Sequence, residues 1–185
     1  MIKKLTFEEI QEKQPDLERL STLERCPAVV IADNIRSLHN VGALFRTSDA
    51  VRLRHLYLCG ITGQPPRDEI RKTSLGAEES VPWSYVRDPN PLVEELKQQG
   101  YQIIALEHTN SSCDFRRANY QFPVCLLIGH EYQGVGQSLL DKADVAVEIP
   151  MHGIKQSLNV SVAYGVMIYE LLRQYEQQSE IHSYD

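Results

Sequence analysis

Three polar segments of the sequence combine residue types that can do chemistry with glycines that let backbone approach a ligand. The first is Asn34-Ile35-Arg36-Ser37-Leu38-His39-Asn40-Val41-Gly42-Ala43-Leu44-Phe45-Arg46. Arg46 brings a planar guanidinium able to fork onto a phosphate or a carboxylate. The alternative for that side chain is a surface ion pair with Asp49 at i+3, which stabilises little. Asn40 is placed to cap the helix that follows, and Gly42 and Ala43 leave its first turn open to a close neighbour. The second segment, Gly129-His130-Glu131-Tyr132-Gln133-Gly134-Val135-Gly136, sets a carboxylate among glycines. It is not a dinucleotide fingerprint, because the third glycine is missing and the run comes late in the chain. His130-Glu131 is not a zinc motif, since no second histidine follows at the required spacing. Glu131 alone suits helix capping or ion pairing equally well. In the third segment, Ile149-Pro150-Met151-His152-Gly153-Ile154-Lys155-Gln156-Ser157-Leu158-Asn159-Val160-Ser161-Val162-Ala163, Ser157 is a natural N-cap. Ser157 and Asn159 fit capping or a role in catalysis.

Each segment follows a β-rich run, and in open α/β sheets ligands sit beyond the carboxyl ends of strands. Strands are predicted at residues 28–32, 55–59, 81–86, 101–106, 122–128 and 145–149, with helical patterns at 41–52, 92–99 and 137–142. A continuous apolar run such as Val124-Cys125-Leu126-Leu127-Ile128 suits a strand covered on both faces. The fold class is therefore α/β, a mainly parallel sheet flanked by helices. Residues 6–25 read as one or two amphipathic helices beside that sheet. The division expected is a helical extension at 1–27, one domain at 28–175 and a polar tail at 176–185. The helix after Ser157 is apolar on nearly every side, so it needs the sheet on one face and a second subunit on another.

At 185 residues and 42% hydrophobic, the chain can bury one real core. No run approaches the roughly 20 apolar residues that span a bilayer, and the start turns acidic before a signal region can form. Cys26, Cys59, Cys113 and Cys125 are widely spaced, with no C-x-x-C pair. A cytoplasmic protein with reduced thiols, and with neither a disulfide framework nor a metal site, is expected. The net charge of −6 runs against polyanion binding. Its distribution changes that reading: between residues 34 and 72, seven basic residues against three acidic ones leave +4, and the rest of the chain carries −10. That stretch suits either a local polyanion site or a solvated helix surface.

Together the three segments resemble the three signature motifs of the SpoU/TrmH family, within the SPOUT class of methyltransferases, over residues 29–172. Asn40, Gly42 and Arg46 match the first motif, and Gly129, Glu131 and Gly134 the second. Ile149 to Met151 and Ser157 to Ala163 match the third letter for letter. The run Lys72-Thr73-Ser74-Leu75-Gly76-Ala77-Glu78 resembles a further segment common in the family. His130 departs from it, standing where asparagine or serine is more usual.

The resemblance implies an S-adenosylmethionine-dependent RNA ribose 2′-O-methyltransferase, a homodimer with a C-terminal deep trefoil knot, which is an exception to the rule against threaded connections. It further implies a donor held mainly by backbone at Gly129, Ile149 and Leu158, with Met151 and the turn after Leu106 nearby. Arg46 becomes the central residue at the ribose hydroxyl, as a base assisted by an RNA phosphate or as a charged stabiliser of the forming alkoxide. Asn40 and Glu131 would orient Arg46 or the substrate, and Ser157 and Asn159 would complete the site. Without the separate N-terminal RNA-binding domain of several rRNA-modifying relatives, tRNA is expected slightly ahead of rRNA. Two other function classes compete. A non-catalytic RNA-binding protein could keep the fold, but would be free to lose Arg46 or Glu131. A nicotinamide oxidoreductase would need a G-x-G-x-x-G after the first strand, which is absent.

Overall fold

The computed structural model describes residues 2–15 and 17–182. Its first strand, β1 (Cys26–Asp33), is buried along its whole length, because apolar side chains leave it in both directions and both faces are covered. Alternate residues of β1 feed two separate cores. Ala28, Val30 and Ala32 join the larger one, and Val29 and Ile31 the smaller. The other strands are β2 (Leu53–Cys59), β3 (Trp83–Val86), β4 (Gln102–Leu106), β5 (Cys113–Asp114), β6 (Val124–Ile128) and β7 (Val145–Glu148). All seven pair in parallel, in the order β3-β2-β1-β6-β4-β7-β5. The chain thus winds outward from β1 to β3 and then crosses to the other half of the sheet. In open sheets with such a reversal, ligands sit beyond the carboxyl ends of the strands.

Helices cover both faces. α1 (Phe7–Gln11) and α2 (Leu17–Thr22) precede the sheet, followed in chain order by α3 (Leu38–Ala50), α4 (Asp68–Ser74), α5 (Ala77–Ser80), α6 (Pro89–Gln98), α7 (Gln137–Leu140) and α8 (Val160–His182). The larger core receives Val41, Leu44 and Phe45 from α3 and Tyr164, Met167, Ile168 and Leu171 from α8. The smaller one receives Val93 and Leu96 from α6 and Leu139 from α7. Each such fully buried aliphatic side chain stabilises by roughly 1.5–3 kcal/mol, so the sheet is firmly clamped. A 2.7 Å hydrogen bond between the hydroxyls of Ser48 and Tyr164 ties α3 to α8 inside that core.

The predicted strands are all present, with ends moved by a residue or two. The two helices of the N-terminal extension also form, and the Arg52 guanidinium holds the carbonyls of Leu20 and Leu23. α4, α5 and β5 were not anticipated. α8 continues past Glu176, where the polar tail was expected to begin, and residues 183–185 of that tail lie outside the described residues. Among the described residues, no helix is long and apolar enough to cross a membrane. All four cysteines are free thiols.

Candidate active site

The loops that leave β4, β6 and β7 meet around one cavity, and those three strands are neighbours in the sheet. Gly129, Ile149, Met151 and Leu158 all line it, as do Leu106 and Glu107 from the turn after β4. Glu131 and Ser157 stand in the same wall. Among the described residues lining the cavity none is Lys or Arg, whereas three are glutamates: Glu107, Glu131 and Glu148.

Steric fit explains the glycines. A Cβ on Gly129 would lie 2.2 Å from the carbonyl oxygen of Gly134, so any side chain there would push the two halves of the loop apart. Gly134 adopts φ +68°, and its Cβ would fall 1.9 Å from a carboxylate oxygen of Glu107. His130 shapes the same turn. Its Nδ1 accepts from the backbone N–H of Tyr132 at 3.0 Å and of Gln133 at 3.2 Å, which places the proton of a neutral ring on Nε2. The departure from the family pattern at this position therefore serves the loop's shape.

Glu131 reaches from this loop to the start of α3. Its Oε2 accepts from Arg36 N–H at 3.0 Å, and its Oε1 from Ser37 N–H at 3.0 Å and the Asn40 side-chain amide at 2.9 Å. Burial alone would raise its pKa, but the N–H donors of Arg36 and Ser37 and the Asn40 amide outweigh that and hold the carboxyl below the ordinary range. Glu131 is thus an ionised carboxylate at a helix N-terminus. The contact extends further: the Asn159 amide donates to the Asn40 side-chain oxygen at 3.1 Å, and Asn159 Oδ1 accepts from Ser161 N–H at 2.9 Å. One continuous hydrogen-bonded chain links the β6 loop, α3 and α8.

Two capping expectations are corrected by this chain. Ser37, not Asn40, caps α3; its hydroxyl accepts from Asn40 N–H at 3.3 Å, which leaves the Asn40 side chain inside the first turn and free to bridge Glu131 and Asn159. Asn159, not Ser157, occupies the cap position of α8, because the helix begins at Val160. Ser157 stays exposed in the turn before it and faces the cavity.

Gly42 has a close neighbour, as expected, and that neighbour is a helix. A Cβ there would lie 2.3 Å from the Ile70 carbonyl oxygen and 2.0 Å from the Thr73 hydroxyl, so α4 packs flush on α3. The Thr73 hydroxyl donates to the His39 carbonyl at 3.0 Å, and Ser74 bonds to Glu78, which gives the run from Lys72 to Glu78 a packing role.

Arg46 stands apart. It is exposed on α3 and does not line the cavity. Among the described residues no hydrogen bond or ion pair engages it, and the anticipated partner Asp49 accepts instead from the Ser80 hydroxyl at 2.5 Å. Its neighbours in charge, Arg36, Arg67, Arg71 and Lys72, are also exposed around α3 and α4. Glu107, His108 and Glu148 also line the cavity without being marked by a sequence motif; the signal for Glu107 is its place directly after a strand.

Comparisons with known proteins point the same way. The family model described as the SpoU rRNA Methylase family matches residues 27–169. A tRNA (guanosine(18)-2'-O)-methyltransferase of Aquifex aeolicus is 38% identical over 150 residues, 81% of this chain and 71% of that protein. The crystal structure of a TrmH/SpoU tRNA modifying enzyme from A. aeolicus superposes with a TM-score of 0.78 at 35% identity, covering 88% of this chain and 85% of that one. An AdoMet-bound rRNA methyltransferase from Sinorhizobium meliloti gives a TM-score of 0.75 at 28% identity, covering 83% and 59% of the two chains. With the motifs gathered at one cavity and a match spanning most of its length, the chain belongs to the SpoU methylase family, the SpoU/TrmH group of RNA 2′-O-methyltransferases.

Proposed function

We propose that this protein transfers the methyl group of S-adenosylmethionine to a ribose 2′-hydroxyl of structured RNA, tRNA ahead of rRNA. The observation that carries this reading is the meeting of Gly129, Ile149, Met151 and Leu158 around one cavity, beside the Glu131, Asn40 and Asn159 chain. The cavity suits such a donor. Its apolar wall accepts an adenine, and a lining without Lys or Arg opposes no like charge to a sulfonium. The preference for tRNA rests on the names of the Aquifex relatives.

When bound, the donor supplies an electrophilic methyl group on a cationic sulfur. Backbone of the loops after β4, β6 and β7 would hold it, with Ile149, Met151 and Leu158 supplying apolar wall. Arg46 serves the RNA side. A charged guanidinium clamps the neighbouring phosphate with its planar fork and stabilises the negative charge that develops on the ribose oxygen as the hydroxyl proton is lost to solvent. Glu131, held as a carboxylate by three donors, has no proton to give; with Asn40 and Asn159 it positions α3, and so Arg46, relative to the donor loops. Ser157, exposed at the cavity rim, meets the incoming ribose. The exposed basic residues from Arg36 to Lys72 hold the RNA backbone.

A homodimer is supported by α8, where Val162, Val166 and Tyr169 are exposed by 52%, 37% and 53% on one stripe. Leu158, partly exposed just before α8 and part of the cavity wall, would put the second protomer near the cavity's edge. The knot implied by the resemblance would be formed by the same loops, and a cytoplasmic setting agrees with four free thiols. Calorimetric titration with S-adenosylmethionine and with NAD tests the reading: the donor should bind and NAD should not, and the reverse would favour nicotinamide chemistry.

A further inference from the structure

We propose that Glu107 is a donor-binding residue whose carboxylate accepts hydrogen bonds from the vicinal hydroxyls of the donor's ribose, an inference that rests on the reading just given. Glu107 is the first residue after β4, the strand that lies between β6 and β7, and it lines the cavity where the three loops converge. The loops around it are shaped to hold its carboxylate still. Oε1 accepts from His108 N–H and Oε2 from Val135 N–H, both at 2.9 Å, and Gly134 leaves Oε2 the room that a Cβ would fill.

The remaining capacity is what a diol needs. An ionised carboxylate offers about four acceptor sites, and two backbone donors use only one on each oxygen. Glu107 differs in this from the other glutamates of the wall. Glu131 spends its oxygens on three donors at the start of α3, and Glu148 takes the Ser112 hydroxyl at 2.6 Å and His108 both on Oε2, so among the described residues no donor fixes its Oε1. A carboxylate just beyond a strand's carboxyl end, with one free acceptor site per oxygen, matches two adjacent ribose hydroxyls in the way nucleotide-binding sheets use an acidic residue. Among the described residues of the wall, no other carboxylate has both oxygens fixed with an acceptor site left on each.

The test is calorimetry with S-adenosylhomocysteine and its 2′-deoxy and 3′-deoxy forms, on the wild-type protein and on Glu107→Ala and Glu107→Gln. In the wild type, removing a hydroxyl should weaken binding about tenfold, the effect of losing a charge-assisted hydrogen bond. In Glu107→Ala the deoxy forms should bind within about twofold of the parent compound, because the partner is already gone. Glu107→Gln keeps one acceptor oxygen and should fall between the two; it also carries the test if melting curves show that the alanine variant does not fold. An equal loss on deoxygenation in all three proteins would overturn the assignment and leave Glu107 as a loop clamp. Wild-type protein that binds none of the three ligands would instead refute the donor reading itself, and the assignment with it.

Discussion

The side-chain amides of Asn40 and Asn159 meet at 3.1 Å, joining the first turn of α3 to the cap of α8 across 119 residues of sequence. Through Asn40 the same contact reaches Glu131, so residues from all three polar segments share one hydrogen-bonded chain. A chain of this kind fixes the angle between two helices and the donor loop, and it tolerates few substitutions, because removing one member strands the partners of the others.

Glu131→Gln should therefore lower stability by about 1–2 kcal/mol at neutral pH, a figure reduced for the partial exposure of the site. The pH dependence carries a sign. Burial raises the Glu131 pKa and the donors of Arg36, Ser37 and Asn40 lower it more, so the folded value lies below the ordinary 4.5. The stabilisation is complete above the unfolded pKa and is lost as pH falls through the folded one. Denaturant melts from about pH 6 to pH 3 should show a shallower acid limb in Glu131→Gln than in the wild type. Parallel limbs would remove Glu131 from the acid response.

For the RNA surface, Arg71→Glu should reduce the slope of log affinity against log salt, since Arg71 is exposed and a lost phosphate contact releases one counterion fewer. Arg52 should behave differently. Its guanidinium already holds the Leu20 and Leu23 carbonyls, so Arg52→Ala should lower the melting temperature and leave the salt slope alone. Filter binding across a salt series checks both, and a slope altered only by Arg52 would relocate the RNA surface.

Charge counting along the sequence could not separate Arg52 from Arg71, because what distinguishes them is a tertiary contact. The same limit explains other differences between sequence and structure. Asn40 looked like a cap because it precedes an apolar run; Ser37, three residues earlier, is an equally good cap, and only the distant Glu131 decides between them. α4 escaped notice because Asp68-Glu69-Ile70-Arg71-Lys72-Thr73-Ser74 has a single apolar residue and no amphipathic period. β5 has two residues, too few for any pattern. By contrast, the strands of the sheet were legible from apolar runs bounded by turns, and Gly42 correctly signalled a close neighbour. The four donor-side positions came from the family resemblance, since a site built by backbone leaves little trace in side-chain chemistry.

Along α8, Val166→Asp should dissociate the proposed dimer, because a charge would be buried in the seam without a partner. Light scattering at micromolar concentration should give about 42 kDa for the wild type, twice the 21.1 kDa of one chain, and the monomer mass for the variant. A wild-type protein that is monomeric at that concentration would contradict the seam.

Arg46→Ala should slow transfer by orders of magnitude while donor affinity and melting temperature stay near wild type, because Arg46 is exposed, lies outside the cavity wall and makes no hydrogen bond or ion pair among the described residues. Arg46→Lys should rescue poorly, having the charge without the planar fork. Single-turnover transfer at saturating donor and RNA checks this, and near-normal turnover in a folded Arg46→Ala protein would exclude the residue from the chemistry.

The most direct measurement is the position of the transferred methyl group. Purified protein is incubated with methyl-labelled S-adenosylmethionine and unmodified tRNA transcript, or an rRNA transcript in parallel, and the product is digested to nucleosides for mass spectrometry. Expected is label in a single 2′-O-methylnucleoside, with the mass increment on the ribose fragment, and more of it from tRNA than from rRNA. Label on a base, or none in either RNA while the folded protein binds the donor, would contradict ribose 2′-O-methylation.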